Sequence, residues 1–238
     1  MWTISDIMAV SMARLLRNGE TVFHGVASPL PMVAILLAKK LHAPDLIYIN
    51  ITGGIDPEPA RLPHSTVHPE LFKGSAIIFS LQDLFDLAAR GDLDVAFLGG
   101  AQIDQHGRTN MTAIGSRQHP KIRLPGSAGS ASIMPVVKRV ILWRTRHDRK
   151  TFVERCDFIT ADGRVERVVT PLCIFKKVDN ILQVESIHPH ASREEVLANT
   201  GFEVRFLPDF HITPEPTPEE LKWLSEIDPH RVRDIEFS

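Results

Sequence analysis

The sequence predicts an α/β protein built on an open, mainly parallel sheet flanked by helices, and three observations predict it. Short continuous apolar runs, such as residues 46–51 and 95–98, have the length and composition of strands buried on both faces. They alternate with longer segments whose apolar residues recur at helical spacing. Each run then stops at a cluster of Gly, Asp, Asn or Pro, and open α/β sheets place their ligands in the loops just beyond the carboxyl ends of strands. The chain has 238 residues, 43% hydrophobic and 24% charged, enough for one large domain with a substantial core, so residues 1–238 are read as a single domain.

Taken in order, Ile4, Ile7, Met8, Met12, Leu15 and Leu16 fall on one helical face, with Thr3 and Asp6 spaced as a capping box and Asn18-Gly19 as a stop. A short strand at residues 21–24 follows, then a second helix through Leu41 that tolerates Pro29 and Pro31 in its first turn. Residues 46–51 form the next strand, and residues 52–59, rich in Gly and Pro, cannot continue it. Ser80 and Asp83 cap a short helix carrying Leu81, Leu84, Phe85 and Leu87, and residues 95–98 return to the sheet. Residues 99–115 are read as a loop, and residues 125–132 as a third glycine loop opening on an apolar run. Further strands are expected at 140–143, 158–160, 165–169, 172–175 and 181–187, several close enough to add antiparallel hairpins. Ser192 with Glu195 and Thr217 with Glu220 cap two final helices, separated by a proline-rich stretch at 208–218.

Composition excludes several functions. A net charge of −2 with interspersed signs gives no field for nucleic acid or an anionic membrane, so neither is an expected partner. The longest apolar stretch, residues 32–41, is interrupted by Lys39 and Lys40 and is too short for a membrane span, and no signal peptide is visible; a cytoplasmic protein is expected. Cys156 and Cys173 form no C-x-x-C pair and have no neighbouring ligand cluster, so they read as buried thiols and no metal is expected. The histidines are scattered; His188, His190 and His230, beside prolines or in loops, read as surface or capping residues rather than ligands. A phosphate-binding glycine-lysine motif, a G-x-S-x-G elbow and a His-Glu-x-x-His helix are all absent.

The chain is organised around residues 99–115. Gly99 and Gly100 lack a Cβ, so their N–H groups can lie against a carbonyl oxygen or a thioester, although a Gly-Gly pair after a strand also serves as a plain turn. If the run after residues 125–132 begins a helix, its free N–H groups would make an anion site.

Several stretches together resemble the second (beta) subunit of class I CoA-transferases, especially the glutaconate type: Gly25 to Leu30, the His42-Ala43-Pro44-Asp45 run, Gly53 to Asp56, Gly99 to Gly115, His119 to Gly129, Asn199 to Phe202 and Ile227-Asp228-Pro229. They run in order along nearly the whole chain. The resemblance implies a CoA-transferase-like open α/β fold, an alpha-type subunit packed against this one, an active site at their junction, and coenzyme A as part of an acyl-CoA substrate. In the transferases a glutamate at the end of the second strand attacks the acyl-CoA and passes through an anhydride to a glutamyl-CoA thioester. Aligning the turn with Gly53 and Gly54 puts that glutamate at Ile51, which has no carboxylate; Asp56 and Glu58 are the nearest acids. Relatives without the glutamate decarboxylate glutaconyl-type CoA esters or cleave carbon–carbon bonds hydrolytically, and this sequence is more similar to the decarboxylase group. The resemblance then implies that Gly99, Gly100 and Ala101 supply backbone at the thioester, Gln102 an amide donor, Gly53, Gly54, Gly126 and Gly129 the CoA side, and Asn110 with Thr112 the shape of the loop. A true transferase and a catalytically silent binding or scaffold subunit are the competing expectations.

Overall fold

The computed structural model describes residues 1–237. They divide into two compact units, the first comprising Met1–Phe97 and the residues from Glu215 onward, the second Leu98–Pro214.

The first unit opens with α1 (Ile4–Arg14), held by the expected reciprocal cap: Thr3 Oγ1 accepts the Asp6 N–H at 3.4 Å and Asp6 Oδ2 accepts the Thr3 N–H at 2.8 Å. Strand β1 (Thr21–His24) leads into α2 (Pro29–Leu41), whose apolar residues are buried on nearly every face, as expected of a helix inside the core. Strand β2 (Ile47–Ile49) runs parallel to β1, with Tyr48 opposite Val22. The chain does not simply leave the sheet after β2. It folds back as β3 (Gly54–Ile55), antiparallel to β2, followed by β4 (Ile77–Ile78) antiparallel to β3. Sequence patterning does not reveal the reversal because it depends on a buried side chain, Asn50, described below. Helix α3 (Leu81–Ala89) carries the predicted Ser80/Asp83 box, and β5 (Val95–Leu98) pairs with the other edge of β1 in parallel. The strand order is β5-β1-β2-β3-β4, with β1 flanked by β5 and β2.

In the second unit, residues 99–115 are not the loop that was expected. They contain β6 (Gln102–Asp104), β7 (Thr109–Asn110) and β8 (Ala113–Gly115), and β9 (Pro120–Arg123) pairs back on β8. Glycine and polar residues mislead here because Asp104, Thr109 and Asn110 are buried with their hydrogen bonds satisfied inside the protein. After the four-residue helix α4 (Ser130–Ile133) comes β10 (Arg139–Trp143), then β11 (Phe152–Val153), parallel to β6. Residues 158–160, expected as a strand, are irregular; Thr160 N–H instead donates to Thr109 O at 2.8 Å. Strand β12 (Val165–Val169) is parallel to β10, while β13 (Cys173–Val178) and β14 (Ile181–Ile187) add the predicted antiparallel hairpin. Its two-residue turn places Asp179 and Asn180 at φ 50° and 62°, the left-handed pair whose twist matches that of the strands.

After α5 (Arg193–Asn199), β15 (Arg205–Ile212) joins β14 in parallel at the sheet edge, a strand that its proline conceals in the sequence. The register jumps from Val184↔Phe206 to Ser186↔His211, so Pro208 sits in a bulge where no ladder N–H is required. The open, mainly parallel sheet with antiparallel additions is thus the architecture observed. His188 is a correction: it is fully buried just after β14, between Thr213 Oγ1 at 3.1 Å and Thr170 O at 2.9 Å.

The chain finishes in the first unit with α6 (Pro218–Ile227) and a 3-10 turn, Val232–Phe237. Arg233, 3% exposed, donates to Asp6 Oδ1 and Asp228 Oδ2, each at 2.7 Å, and so ties the last residues to the start of α1.

Candidate active site

In the first unit the carboxyl end of β2 is shaped by Asn50. Its side-chain oxygen accepts the N–H groups of Thr52 (2.9 Å) and Gly54 (3.3 Å), and its amide donates to Leu71 O at 2.9 Å. The turn closes with Gly53 N–H on Asn50 O at 3.0 Å. Gly53 has φ 103°, and a Cβ there would lie 2.1 Å from Phe79 O; one on Gly54 would lie 2.4 Å from Leu71 O. Both glycines are therefore demanded by backbone packed against the turn. Ile51 is half-buried within it, and no residue from 50 to 54 carries a carboxylate. Asp56 does fold back, but opposite Tyr48, three residues before Ile51. Its Oδ1 accepts the Tyr48 N–H at 2.9 Å and the Lys39 ammonium at 2.7 Å, so the carboxylate fastens β2 to α2. Glu58 lies further along, its backbone N–H on Lys73 O at 2.8 Å.

At the carboxyl end of β1 stands a cluster that sequence reasoning missed. His24 Nδ1 is 3.0 Å from Gly25 O and 2.7 Å from Ser28 Oγ, and Nε2 is 2.5 Å from the Tyr48 hydroxyl. Gly25 O can only accept, so Nδ1 carries the proton and Nε2 accepts from Tyr48. Ser28 Oγ–H also donates to Gly25 O. All three side chains are buried; desolvation lowers the His24 pKa to about 4 and raises that of Tyr48 well above its usual value. With its proton already on the nitrogen facing Ser28, His24 is not placed to act as base toward that hydroxyl. The cluster is a neutral clamp on residues 25–28, where Ala27 is held at φ 49°. The only signal in the sequence was a histidine ending a strand directly before glycine.

The second unit brings Gly99, Gly100, Ala101, Gln102 and Asn110 together. Ala101 N–H donates to Asn110 O at 2.8 Å. A Cβ on Gly100 would meet Thr109 Cβ at 2.9 Å and Gln102 O at 3.0 Å, whereas one on Gly99 would meet only Trp143 O, at 3.7 Å. Gln102 is 6% exposed: its oxygen accepts from Asn110 Nδ2 (2.7 Å) and Asp157 N–H (3.0 Å), and its Nε2 faces Asp157 Oδ2 at 3.3 Å. Asn110 is fully buried, its amide on Gln102 and Ala113 O and its oxygen on the N–H groups of Thr112 and Ala113. It shapes the segment from within, with both amide hydrogens and the side-chain oxygen engaged by neighbouring residues. Thr112 Oγ1 lies 2.8 Å from Thr160 Oγ1. Gly126, at φ 97°, donates its N–H to Met111 O at 2.8 Å, and Gly129 precedes α4, whose single turn is too short to make the expected anion site.

A cavity of 550 Å³ in the first unit, lined by Lys39, Tyr48, Asp56, Arg61, Asp228 and His230 among others, contains none of the predicted residues except Asp56 and Glu58. Among the described residues no His, Cys, Asp or Glu cluster could hold a metal, and no helix is long and apolar enough to cross a membrane. Cys156 and Cys173 are buried free thiols, both raised to about 12 by desolvation first of all.

Comparison with known proteins places this geometry. The coenzyme A transferase family profile matches residues 6–199. The chain is 33% identical to a subunit of the 3-oxoadipate CoA-transferase of Pseudomonas knackmussii, over 95% of this chain and 94% of that protein. It is 30% identical to the cholesterol ring-cleaving hydrolase IpdB subunit of Rhodococcus jostii, over 99% and 96%. Among solved structures, it superposes on the decarboxylase AibA/AibB with a TM-score of 0.92 at 33% identity, covering 98% of each chain.

Proposed function

Since the chain belongs to the coenzyme A transferase family, we propose that it is the beta-type subunit of a heteromeric enzyme acting on acyl-CoA thioesters without a glutamyl nucleophile, by decarboxylation or hydrolytic cleavage of a dicarboxylic or related acyl group. The observation that carries this reading is the turn after β2. It offers Ile51 where a transferase needs a carboxylate, and the nearest acid, Asp56, is fastened to Lys39 and the backbone of Tyr48. An acyl carboxylate loses CO₂ when the resulting negative charge is delocalised into a thioester whose oxygen meets N–H donors in a poorly solvated pocket. In this reading the backbone at Gly99 and Gly100 faces the thioester, Gln102 and Asn110 hold that backbone in place, and Ile51 leaves the turn after β2 without a nucleophile. Within the second unit, Gly126 and Gly129 shape the turns that border the CoA. The likeness to a decarboxylase and to a ring-cleaving hydrolase supports it.

The likeness to a 3-oxoadipate CoA-transferase favours a second reading, true CoA transfer with a carboxylate from elsewhere. One experiment separates the readings. The chain, co-expressed with an alpha-type subunit, is incubated with dicarboxylic acyl-CoA esters, treated with borohydride or hydroxylamine, and digested for peptide mass analysis. Consumption of the ester with no adduct on this chain is the expected outcome. An adduct on Asp56 or Glu58 would establish the transferase, and binding without turnover would establish a silent subunit.

A further inference from the structure

We infer that the β8–β9 hairpin is the docking arm for the phosphate-bearing nucleotide end of the CoA ester, an assignment that rests on the acyl-CoA reading above. The chain as a whole is nearly neutral, yet no Asp or Glu occurs between Asp104 and Asp148. The centre of that stretch is the hairpin, and it exposes Arg117, His119, Lys121 and Arg123 to solvent. Among the described residues none of these three Lys and Arg side chains makes an ion pair; the Arg117 guanidinium lies 5.4 Å from the Phe158 ring. Several cations elsewhere on the molecule are matched, among them Arg14 with Glu220, Lys39 with Asp56 and Arg167 with Glu185. Like charges gathered on one small hairpin that carries no acid of its own repel one another and favour a polyanionic ligand.

The base of the arm is the segment assigned to the thioester. Leu124 N–H donates to Thr112 O at 3.1 Å and Gly126 N–H to Met111 O at 2.8 Å, so the hairpin leaves and returns beside Asn110. Asp157 Oδ2 accepts the Gly115 N–H at 2.7 Å and faces the Gln102 amide at 3.3 Å, joining the hairpin to the residues after Gly100. That carboxylate meets the arm at Gly115, the turn end of β8, and its neighbour Phe158 carries the Arg117 guanidinium over its ring. β8 and β9 pair Ala113 with Arg123 and Gly115 with Pro120, so Arg123 sits at the base of the arm, Lys121 near its turn end and Arg117 in the turn, which spreads the cations along its length. Coenzyme A supplies such a polyanion on a tether to the reacting group: an uncharged pantetheine arm joins the thioester to a pyrophosphate and a ribose 3′-phosphate.

The test uses the assembled complex with its alpha-type subunit, titrated calorimetrically with CoA, 3′-dephospho-CoA and pantetheine, in wild type and in Arg117→Ala, Lys121→Ala and Arg123→Ala. Each substitution is expected to weaken CoA about three- to tenfold, to narrow the difference between CoA and its dephospho form, and to leave pantetheine unchanged. Unchanged CoA affinity in all three variants, or an equal loss for pantetheine, overturns the assignment. Variants that no longer co-elute with the alpha-type subunit also overturn it, because the hairpin would then be an acidic partner's contact. A wild-type complex that binds none of the three ligands removes the acyl-CoA reading itself, whereas binding that the variants do not alter removes the hairpin alone.

Discussion

Gly99 and Gly100 look equivalent in the sequence, but the structure separates them and makes a sharper test of the thioester loop. A valine at Gly100 would run its branched side chain into Thr109 and Gln102 O, so loss of activity there would report a displaced β7 as readily as a blocked substrate. An alanine at Gly99 has room within the protein, its nearest neighbour being Trp143 O at 3.7 Å. If the backbone at Gly99 faces the thioester, Gly99→Ala is expected to keep the wild-type melting temperature within about 1 °C, reflecting a change under ~0.5 kcal/mol, and to lower kcat/KM at least tenfold. Steady-state kinetics with a melting curve decide it, and unaltered kcat/KM would move the thioester elsewhere. The same scale shows why the site was only partly legible. Gly53 and Gly54 stood out as a turn, but Asn50, which builds that turn, resembles any polar residue after a strand until its partners at Thr52, Gly54 and Leu71 are seen. His24 was likewise invisible, since its role depends on Tyr48 and Ser28, one of them on another strand.

Elements with local signals were readable: each predicted capping box is present, at Thr3, Ser80, Ser192 and Thr217, because cap and partner lie three residues apart in the chain. Elements that depend on distant partners were not. Strand β15 carries Pro208 and exists by pairing with β14 around a bulge, and β6 and β7 are built from residues that read as loop until Asp104 is seen capping the N–H groups of His106 and Arg108. One long-range element contact makes a stability prediction. Arg233 sits between Asp6 and Asp228, each 4% exposed or less, and its loss would leave two buried carboxylates without their shared cation. Arg233→Ala is expected to destabilise the protein by about 3–5 kcal/mol, read as a lower midpoint in urea. A shift below about 1 kcal/mol would mean that water reaches the cluster.

Across the molecule, His24, His147 and His188 are each buried and each lowered to about 4, with desolvation the largest cause. His147 bonds the hydroxyls of Thr170 (2.9 Å) and Thr200 (3.0 Å), one at each ring nitrogen. Unfolded histidines take up a proton near pH 6.5, so between there and pH 4 the unfolded chain binds more protons than the folded one. Stability is therefore full above about pH 6.5 and falls on acidification to pH 4, by on the order of 3 kcal/mol for each histidine; below pH 4 the lowered carboxyls of Asp6 and Glu220 extend the loss. Melting temperatures between pH 7.5 and 4 check this, and a flat profile would show that the imidazoles gain protons without unfolding. The link from Arg233 to Asp6 has a further meaning in time. The first unit is discontinuous, and the 117 residues of Leu98–Pro214 are synthesised before its closing helix exists. At about 5–20 residues per second, helix α1 waits roughly ten to forty-five seconds on the ribosome with its cap carboxylate lacking its arginine, an interval in which the second unit can finish first and a chaperone or the partner subunit can reach the unfinished one.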